Sequence, residues 1–325
     1  MAIFLALAIS AGLGLGVGLL LELTDQQVRS SRDLARLTKY PVIASIPHAS
    51  EDGLTEKAQR QLPMEKAPFS ILADEYRRVL ARLLYPGPEI AGAKSFVVVS
   101  PSRGDGKSTL TTNLGIALAR AGRRVLIVDV SYRRPTLEKR LNMQGNTGLA
   151  EILNRTKNPE EVIRFAHVPG LFVLGPGKDT VTLSGRLASR RMARFLNFAA
   201  ERFDHVIIDT PPWLLMADAK LITHLVDGVF VVVGSGVSST GMVKRCLREL
   251  QEIRANMVGI VLNGARCSPG GYMAKNRRLY YGYEHEDGDG KHTAPSEKPS
   301  KLREKTLAEV EVQTSGVTPP YKPWT

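Results

Sequence analysis

The sequence is poor in cysteine and has no clustered histidines. Its two cysteines, Cys246 and Cys267, are too few for a disulfide framework. The six histidines are far apart and lack metal-ligand spacing, which argues against a metal site built from side-chain nitrogens. Acidic residues are outnumbered: 32 against 44 basic residues give a formal net charge of +12. Such a charge is typical of proteins that bind nucleic acid, an anionic membrane surface or phosphate ligands.

A long run without charge stands near the N-terminus. Ile3–Leu21 is long enough to cross a hydrocarbon core of about 30 Å as a helix. No basic residue precedes it, as a secretory signal peptide would require, whereas Arg29, Arg32 and Arg36 follow it. By the positive-inside rule we predict a single-pass anchor in the inner (cytoplasmic) membrane, with the rest of the chain in the cytoplasm. Whether the N-terminus is natural or truncated is left open.

Composition divides the chain into four predicted segments. Residues near 48–64 are polar with glycine and proline, as in a linker. Beyond about Glu284, small, polar and charged residues dominate, which predicts a disordered tail. The predicted segments are a membrane anchor (1–24), a juxtamembrane segment and linker (25–67), a nucleotide-binding domain (68–283) and the tail (284–325).

Short apolar runs alternate with helical segments from Lys94 onward. Runs rich in valine and isoleucine, separated by helices, indicate a mostly parallel sheet covered by helices on both faces, so the fold class is α/β. The predicted strands are Ser95–Ser100, Arg124–Asp129, Leu171–Leu174, His205–Asp209, Gly228–Gly234 and Met257–Asn263.

The segment Pro101–Thr109 has the pattern of a phosphate-binding loop, although Pro101 stands where the strict Walker A pattern has glycine. It follows a predicted strand and opens a predicted helix, so backbone N–H groups and the helix N-terminus favour phosphate oxygens there. Lys107 is expected to reach the β- and γ-phosphates, and the Ser108 hydroxyl to ligate Mg²⁺. The predicted nucleotide-binding residues are Gly104, Asp105, Gly106, Lys107, Ser108 and Thr109.

Two further strands end in aspartate, at Asp129 and Asp209. Ligands gather at the carboxyl ends of parallel strands, where carboxylates hold the water shell of Mg²⁺ or accept a proton. A single aspartate at a strand end is commonly a turn former, but these two accompany a phosphate-binding loop. We therefore predict that Ser108, Asp129 and Asp209 form the metal site.

These motifs resemble those of the bacterial tyrosine kinases, the cytoplasmic part of polysaccharide co-polymerases, within the MinD/ParA-like P-loop superfamily. The resemblance extends to about Glu284. Pro101–Thr109 is similar to the family's Walker A motif, Val125–Pro135 to its A′ motif and Ile207–Pro212 to its Walker B motif.

The resemblance implies an ATP- and Mg²⁺-dependent autokinase that controls exopolysaccharide or capsule synthesis or export. Lys107, Asp129 and Asp209 are then the catalytic residues, and Asp129 activates the tyrosine hydroxyl. The family phosphorylates a C-terminal tyrosine cluster of a neighbouring subunit. The corresponding phosphoacceptors in this sequence are Tyr280, Tyr281 and Tyr283.

Two departures from the family pattern leave other functions open. The A′ motif usually carries a second aspartate where this chain has Ser131, and serine cannot supply that negative charge to Mg²⁺. The oligomerisation helix keeps only its first half, in Asp74–Arg78. One alternative is therefore an ATP-binding adaptor of the export machinery with weak or no kinase activity. Another is a MinD/ParA-type positioning ATPase, although those usually carry a lysine where this chain has Ser102.

A local run of arginines contributes to the basic charge, at Arg186, Arg190, Arg191 and Arg194. No base-reading motif accompanies it, so a solvated or membrane-facing helix surface is favoured over nucleic-acid binding. The expected partners are ATP, a membrane polysaccharide co-polymerase or a second copy of the chain in a homo-oligomer, and an anionic membrane surface. No nucleic-acid partner is expected.

Overall fold

The computed structural model describes residues 26–51, 61–179 and 183–266, with Met1, Phe4, Ser10 and Gly16. Internal contacts group the chain into two units, 1–277 and 278–325, and all described residues belong to the first. Within these described residues, no helix is long and apolar enough to cross a membrane. Most of the predicted span Ile3–Leu21 and the whole predicted tail 284–325 lie outside them and stay predictions.

One sheet of eight strands lies at the centre of the described structure. Its spatial order is β1-β8-β7-β2-β6-β3-β5-β4, and every neighbouring pair is parallel except β4 with β5. The predicted α/β class with a mostly parallel sheet is therefore confirmed. The strands are β1 (Val42–Pro47), β2 (Ser95–Val99), β3 (Val125–Asp129), β4 (Arg164–Phe165), β5 (Leu171–Leu174), β6 (His205–Asp209), β7 (Gly228–Gly234) and β8 (Met257–Ala265).

Helices cover both faces of this sheet. Helices α1 and α6–α11 contribute to the apolar core on one face, and α2–α5 to the core on the other. The helices are α1 (Ser31–Leu37), α2 (Pro63–Lys66), α3 (Ile71–Leu84), α4 (Lys107–Arg120), α5 (Leu137–Arg140), α6 (Leu149–Asn154), α7 (Pro159–Val162), α8 (Leu183–Arg186), α9 (Arg190–Arg202), α10 (Asp218–Thr223) and α11 (Thr240–Glu252).

Strand β2 shows why the central strands read as continuous apolar runs. Successive side chains of a strand point to opposite faces of the sheet. Val97 and Val99 accordingly join the core on one face, while Phe96 and Val98 join the core on the other. Since both faces are covered by helices, every position of the strand is buried.

Residues 26–51 and 61–67, the described part of the chain before residue 68, pack with the domain that was predicted to begin at 68. Val28 and Leu34 are fully buried in the core, and β1 pairs with β8 at the sheet edge. Helix α1 begins at Ser31, because Ser30 caps it by accepting a hydrogen bond from the Asp33 N–H. The described residues of the predicted segment 25–67, which are 26–51 and 61–67, are therefore not a simple linker.

We expect Leu34→Ala to destabilise the whole domain. Removing a fully buried leucine side chain leaves a cavity, so the free energy of unfolding should fall by about 2–5 kcal/mol. Urea denaturation of the full chain measures this value. Arg32→Ala, an exposed change in the same helix, is the control and should stay within about 0.5 kcal/mol of wild type. Equal stability of the two variants would contradict the inclusion of α1 in the core.

Candidate active site

The predicted site residues come together at the carboxyl edge of the sheet. The loop after β2 leads into α4, and β6 and β3 lie beside β2 in the order β2-β6-β3. Asp209 ends β6 and Asp129 ends β3, and the two are register partners in the parallel ladder. Because parallel strands end at the same edge, Lys107, Ser108 and both aspartates are held near one another.

The phosphate-binding loop needs glycine at two positions. Gly104 and Gly106 have φ angles of 89° and 103°, in the left-handed region that other residues rarely adopt. A Cβ atom at Gly106 would also lie 2.0 Å from the Asn263 side-chain nitrogen. That amide donates a hydrogen bond to the Asp105 carbonyl at 2.9 Å. Asn263, near the end of β8, therefore fixes the position of the loop through this hydrogen bond.

Lys107 is buried although it carries a charged group, with only 7 % of its surface exposed. Its Nζ donates to Ser100 Oγ at 2.8 Å, and Ser100 Oγ donates to the Ser102 carbonyl at 2.6 Å. Burial lowers the pKa of Lys107, while the charges of Asp209 and Asp105 raise it. Sequence reasoning missed Ser100, because no motif position marks it and its role depends on the folded loop.

The Asp105 carboxylate is directed into the protein rather than toward a ligand. It accepts hydrogen bonds from the Ser102 N–H at 2.7 Å, the Gly234 N–H at 2.9 Å and the Ser238 hydroxyl at 2.8 Å. Burial raises its pKa, and these hydrogen bonds oppose that shift. Its side chain fixes the loop, so the prediction that Asp105 binds the nucleotide now concerns its backbone N–H and stays a prediction.

Asp209 and Ser108 present the oxygen ligands that Mg²⁺ prefers. Ser108 Oγ donates to Asp209 Oδ2 at 2.5 Å. The second oxygen, Oδ1, is buried and makes no hydrogen bond with the described part of the chain. Burial, followed by the nearby charge of Asp129, raises the pKa of Asp209 to about 7. A buried carboxylate oxygen without a partner, beside a hydroxyl and a phosphate-binding loop, fits a divalent cation.

Asp129 is fully buried and engages both of its oxygens. Oδ1 accepts from the Ser131 N–H at 2.8 Å, and Oδ2 accepts from the N–H groups of Thr136 at 2.9 Å and Leu137 at 3.3 Å. Burial raises the pKa of Asp129, although these hydrogen bonds lower it. The residue therefore orients the start of α5 as well as lying beside Asp209.

Arg140 is a site residue that the sequence analysis missed. It lies on α5, and its positive charge lowers the pKa of Asp209. Its Nη1 donates to Gln61 Oε1 at 3.4 Å, and its buried Nε has no hydrogen-bond partner among the described residues. The predicted phosphoacceptors Tyr280, Tyr281 and Tyr283 lie outside those residues.

Comparison with known proteins agrees with this geometry. The family profile that matches residues 92–281 is described as ParA, NUBPL iron-transfer P-loop NTPase. The chain belongs to the ParA family of P-loop NTPases. Its α/β sheet, and a glycine-rich loop between β2 and α4, are what such a P-loop NTPase requires.

Proteins similar to this chain include several that are named tyrosine-protein kinases. The tyrosine-protein kinase ptk of Acinetobacter johnsonii is 30% identical over 250 residues, which cover 75% of this chain and 34% of that protein. The tyrosine-protein kinase YwqD of Bacillus subtilis is 27% identical over 212 residues, covering 65% of this chain and 89% of that protein. The chain thus spans about a third of the length of the first relative.

Two solved structures extend this likeness to the fold. The BceF tyrosine kinase domain has a TM-score of 0.65 and 26% identity, and the match covers 74% of this chain and 99% of that domain. The chimerical protein CapA2B2 has a TM-score of 0.66 and 27% identity, covering 73% and 100%. The resemblance to bacterial tyrosine kinases is thereby confirmed.

The raised pKa of Asp209 predicts a pH dependence of stability in the nucleotide-free protein. An unfolded aspartate ionises near 3.8, whereas Asp209 in the folded chain ionises near 7. Between these values the folded state holds a proton that the unfolded state has lost. The free energy of unfolding contributed by Asp209 therefore falls as pH rises from about 4 to 7, and levels off above that.

Asp209→Asn should abolish this decline. We subtract the free energy of unfolding of wild type from that of the variant at each pH. This difference should be roughly 1–3 kcal/mol larger at pH 8 than at pH 5. Urea denaturation of both proteins at the two pH values gives the difference. Contributions from groups distant from Asp209 cancel in it, whereas the contribution of Asp129, whose charge acts on Asp209, does not. An unchanged difference would show that Asp209 ionises normally in the fold.

Proposed function

We propose that this chain is a membrane-anchored, ATP-dependent protein-tyrosine autokinase that regulates exopolysaccharide or capsule synthesis or export. The observation that carries the proposal is the convergence of Lys107, Ser108, Asp129 and Asp209 at one sheet edge. It is supported by similarity to proteins named tyrosine-protein kinases.

The phosphates of ATP would bind at the loop between β2 and α4. Backbone N–H groups at the start of α4 and the helix dipole favour their negative charge. The Lys107 ammonium, which now donates to Ser100 Oγ, would exchange that hydroxyl for a phosphate oxygen. A bound nucleotide thereby stabilises a lysine whose charge is otherwise disfavoured by burial.

Mg²⁺ would be held by Ser108 Oγ and Asp209 Oδ1. When bound, the ion neutralises charge on the β- and γ-phosphate oxygens. The carboxylate must be ionised to act as a ligand, so the pKa of about 7 implies that Asp209 releases its proton on binding. Arg140 adds a further positive charge beside Asp209.

Phosphoryl transfer would then require an oriented tyrosine and a base. The tyrosine Oη attacks the γ-phosphorus, the bond to the β–γ bridging oxygen breaks, and ADP leaves. Asp129 accepts the tyrosine proton. Burial raises the pKa of Asp129 and makes it a better base than an exposed carboxylate. The N–H groups of Ser131, Thr136 and Leu137 hold it in place.

The remaining parts of the proposal concern residues beyond this site. Tyr280, Tyr281 and Tyr283 of a neighbouring copy would be the phosphoacceptors, in a homo-oligomer or beside a membrane polysaccharide co-polymerase. Ile3–Leu21 would anchor the chain in the inner (cytoplasmic) membrane. Exposed basic residues that follow it would face the anionic lipid surface: Arg29, Arg32, Arg36 and Lys39.

A second candidate is an ATP-binding adaptor with little kinase activity. Ser131 favours it, because the serine lacks the second carboxylate of the A′ motif. The engagement of both Asp129 oxygens by backbone N–H groups favours it as well, since those oxygens are already satisfied. In an adaptor, nucleotide binding would order the site and the protein would act through its partner.

Incubation of the purified full chain with Mg-ATP decides between these functions. Intact mass and peptide mapping should find phosphate on Tyr280, Tyr281 or Tyr283. Lys107→Ala removes the phosphate-binding cation and should abolish both nucleotide binding and phosphorylation. Lys139→Ala, an exposed change on α5, is the control and should retain both.

Two outcomes would contradict parts of this assignment. Normal ATP affinity in Lys107→Ala would refute the phosphate-binding role of the loop. Clear ATP binding without phosphotyrosine in wild type, even beside its membrane partner, would establish the adaptor.

Ser131→Asp should raise the rate of autophosphorylation. The change restores a second carboxylate beside Asp129, which stabilises the charge of Mg²⁺ at the site. We expect at least a tenfold increase in the initial rate of phosphate incorporation and tighter binding of Mg-ATP. Ser131→Asn, which adds similar volume without the charge, is the matched control. Equal rates for the two variants would show that the missing charge does not limit transfer.

A further inference from the structure

Five arginines gather where α6 ends and α9 begins, on the face of the sheet that also carries α1 and α11. Four of them are exposed and Arg191 is partly buried. We call this cluster the arginine patch: Arg155, Arg186, Arg190, Arg191 and Arg194.

Contacts with the last turn of α6 bring the patch together. Arg186 Nη1 donates to the Leu153 carbonyl at 2.9 Å, and Arg191 Nε donates to the Ile152 carbonyl at 2.5 Å. Arg155 is the C-cap of the same helix. Each bond uses one of the five N–H donors of its guanidinium, so most donors of the patch are not used by α6.

No carboxylate in the described part of the chain forms an ion pair with any arginine of the patch. The acidic residue on α6, Glu151, is already occupied by the N–H groups of Gly148, Lys178 and Asp179. The charges repel one another: burial lowers the pKa of Arg191, and its arginine neighbours lower it further. A ligand with several negative charges would relieve this repulsion.

The chemistry of the patch favours carboxylates or phosphates. Guanidinium groups pair with both in a bidentate manner, and several together select a ligand with several anionic groups. The sequence contains one such segment beside the predicted phosphoacceptors. Glu284, Glu286, Asp287 and Asp289 follow Tyr283 within six residues.

We propose that the arginine patch binds the acidic segment Glu284–Asp289 of a second copy of this chain and thereby presents that copy's tyrosines to the active site. The proposal rests on the proposed kinase function and names the surface that recognises its substrate. Four carboxylates meet five guanidinium groups, so the charges nearly balance.

The patch lies toward the same edge of the sheet as the active site. Helix α9 ends next to the start of β6, so its first turn, with Arg190, lies toward the carboxyl end where Asp209 stands. Helix α6 is joined to the end of β5 by the Leu149 N–H, which donates to the Gly175 carbonyl. Strand β5 neighbours β3, which ends in Asp129.

The spacing of the segment suits this arrangement. Neighbouring strands lie about 4.8 Å apart, so β5 is one strand spacing from β3. An extended chain covers about 3.3–3.6 Å per residue, so the acidic residues reach roughly 3–32 Å from the tyrosines that precede them. A segment held at the patch can therefore place a tyrosine near Asp129.

Binding of a labelled synthetic peptide with residues 279–290 tests the proposal without ATP. The receptor is the full chain with its own segment neutralised by Glu284→Gln, Glu286→Gln, Asp287→Asn and Asp289→Asn. Fluorescence anisotropy should show binding that weakens as salt is added. Arg190→Glu with Arg194→Glu should raise the Kd at least tenfold.

A charge-matched control separates recognition from overall charge. Lys244→Glu with Arg248→Glu makes the same charge change at the same spacing on the exposed face of α11, and should alter the Kd less than twofold. A peptide with Glu284→Arg and Glu286→Arg should bind the Arg190→Glu, Arg194→Glu receptor better than the unaltered patch. Equal weakening by both double variants, or no peptide binding, would overturn the proposal.

Further results distinguish the docking surface from a membrane-binding surface and from the proposed kinase function. If the patch variant loses binding to phosphatidylglycerol vesicles but keeps peptide binding, the patch is a membrane surface and the proposal fails. Peptide binding in a protein that forms no phosphotyrosine would uphold the docking surface while the kinase function fails. Phosphotyrosine without peptide binding would remove the docking surface alone.

Discussion

Burial of three charged side chains at one sheet edge is the constraint on which this structure depends. Burial removes most of the water around Lys107, Asp129 and Asp209. The free-energy cost of burying each charge is offset by the neighbouring charges of the opposite sign or by hydrogen-bond donors of the backbone. The parallel ladder between β3 and β6 enforces the approach of the two aspartates. Because burial makes these charges costly, a phosphate group and a divalent cation would stabilise this sheet edge on binding.

The phosphate-binding loop is held by residues from distant parts of the chain. Ser238 donates its hydroxyl to Asp105, and its carbonyl accepts from the Val28 N–H. The residues that follow the predicted membrane span are thus bonded to the same loop that fixes the nucleotide site. Since β1 also pairs with β8, which carries Asn263, the N-terminal part of the domain supports the loop on two sides.

Nucleotide binding and phosphoryl transfer place different demands on this site. The loop, Lys107, Ser108 and Asp209 satisfy the first, because they offer donors to phosphate and oxygens to Mg²⁺. Transfer, in the proposed kinase, would also need charge stabilisation that exists only in the transition state, and Ser131 supplies no negative charge for it. In the proposed kinase the arginine patch would meet a third demand, because a substrate held nearby reacts far faster than one that diffuses freely.

The sequence by itself determined the elements whose signals are local. Valine- and isoleucine-rich runs revealed six of the eight strands, and the glycine-rich loop with two strand-end aspartates located the site. Only the tertiary structure decided that Val28 and Leu34 join the core, that the Asp105 carboxylate turns inward, and that Ser100 and Arg140 belong to the site. The periodicity of apolar residues and the spacing of motif residues reflect interactions between residues close in the chain. The roles that only the structure revealed depend on contacts between residues far apart in the chain, which a local sequence pattern does not predict.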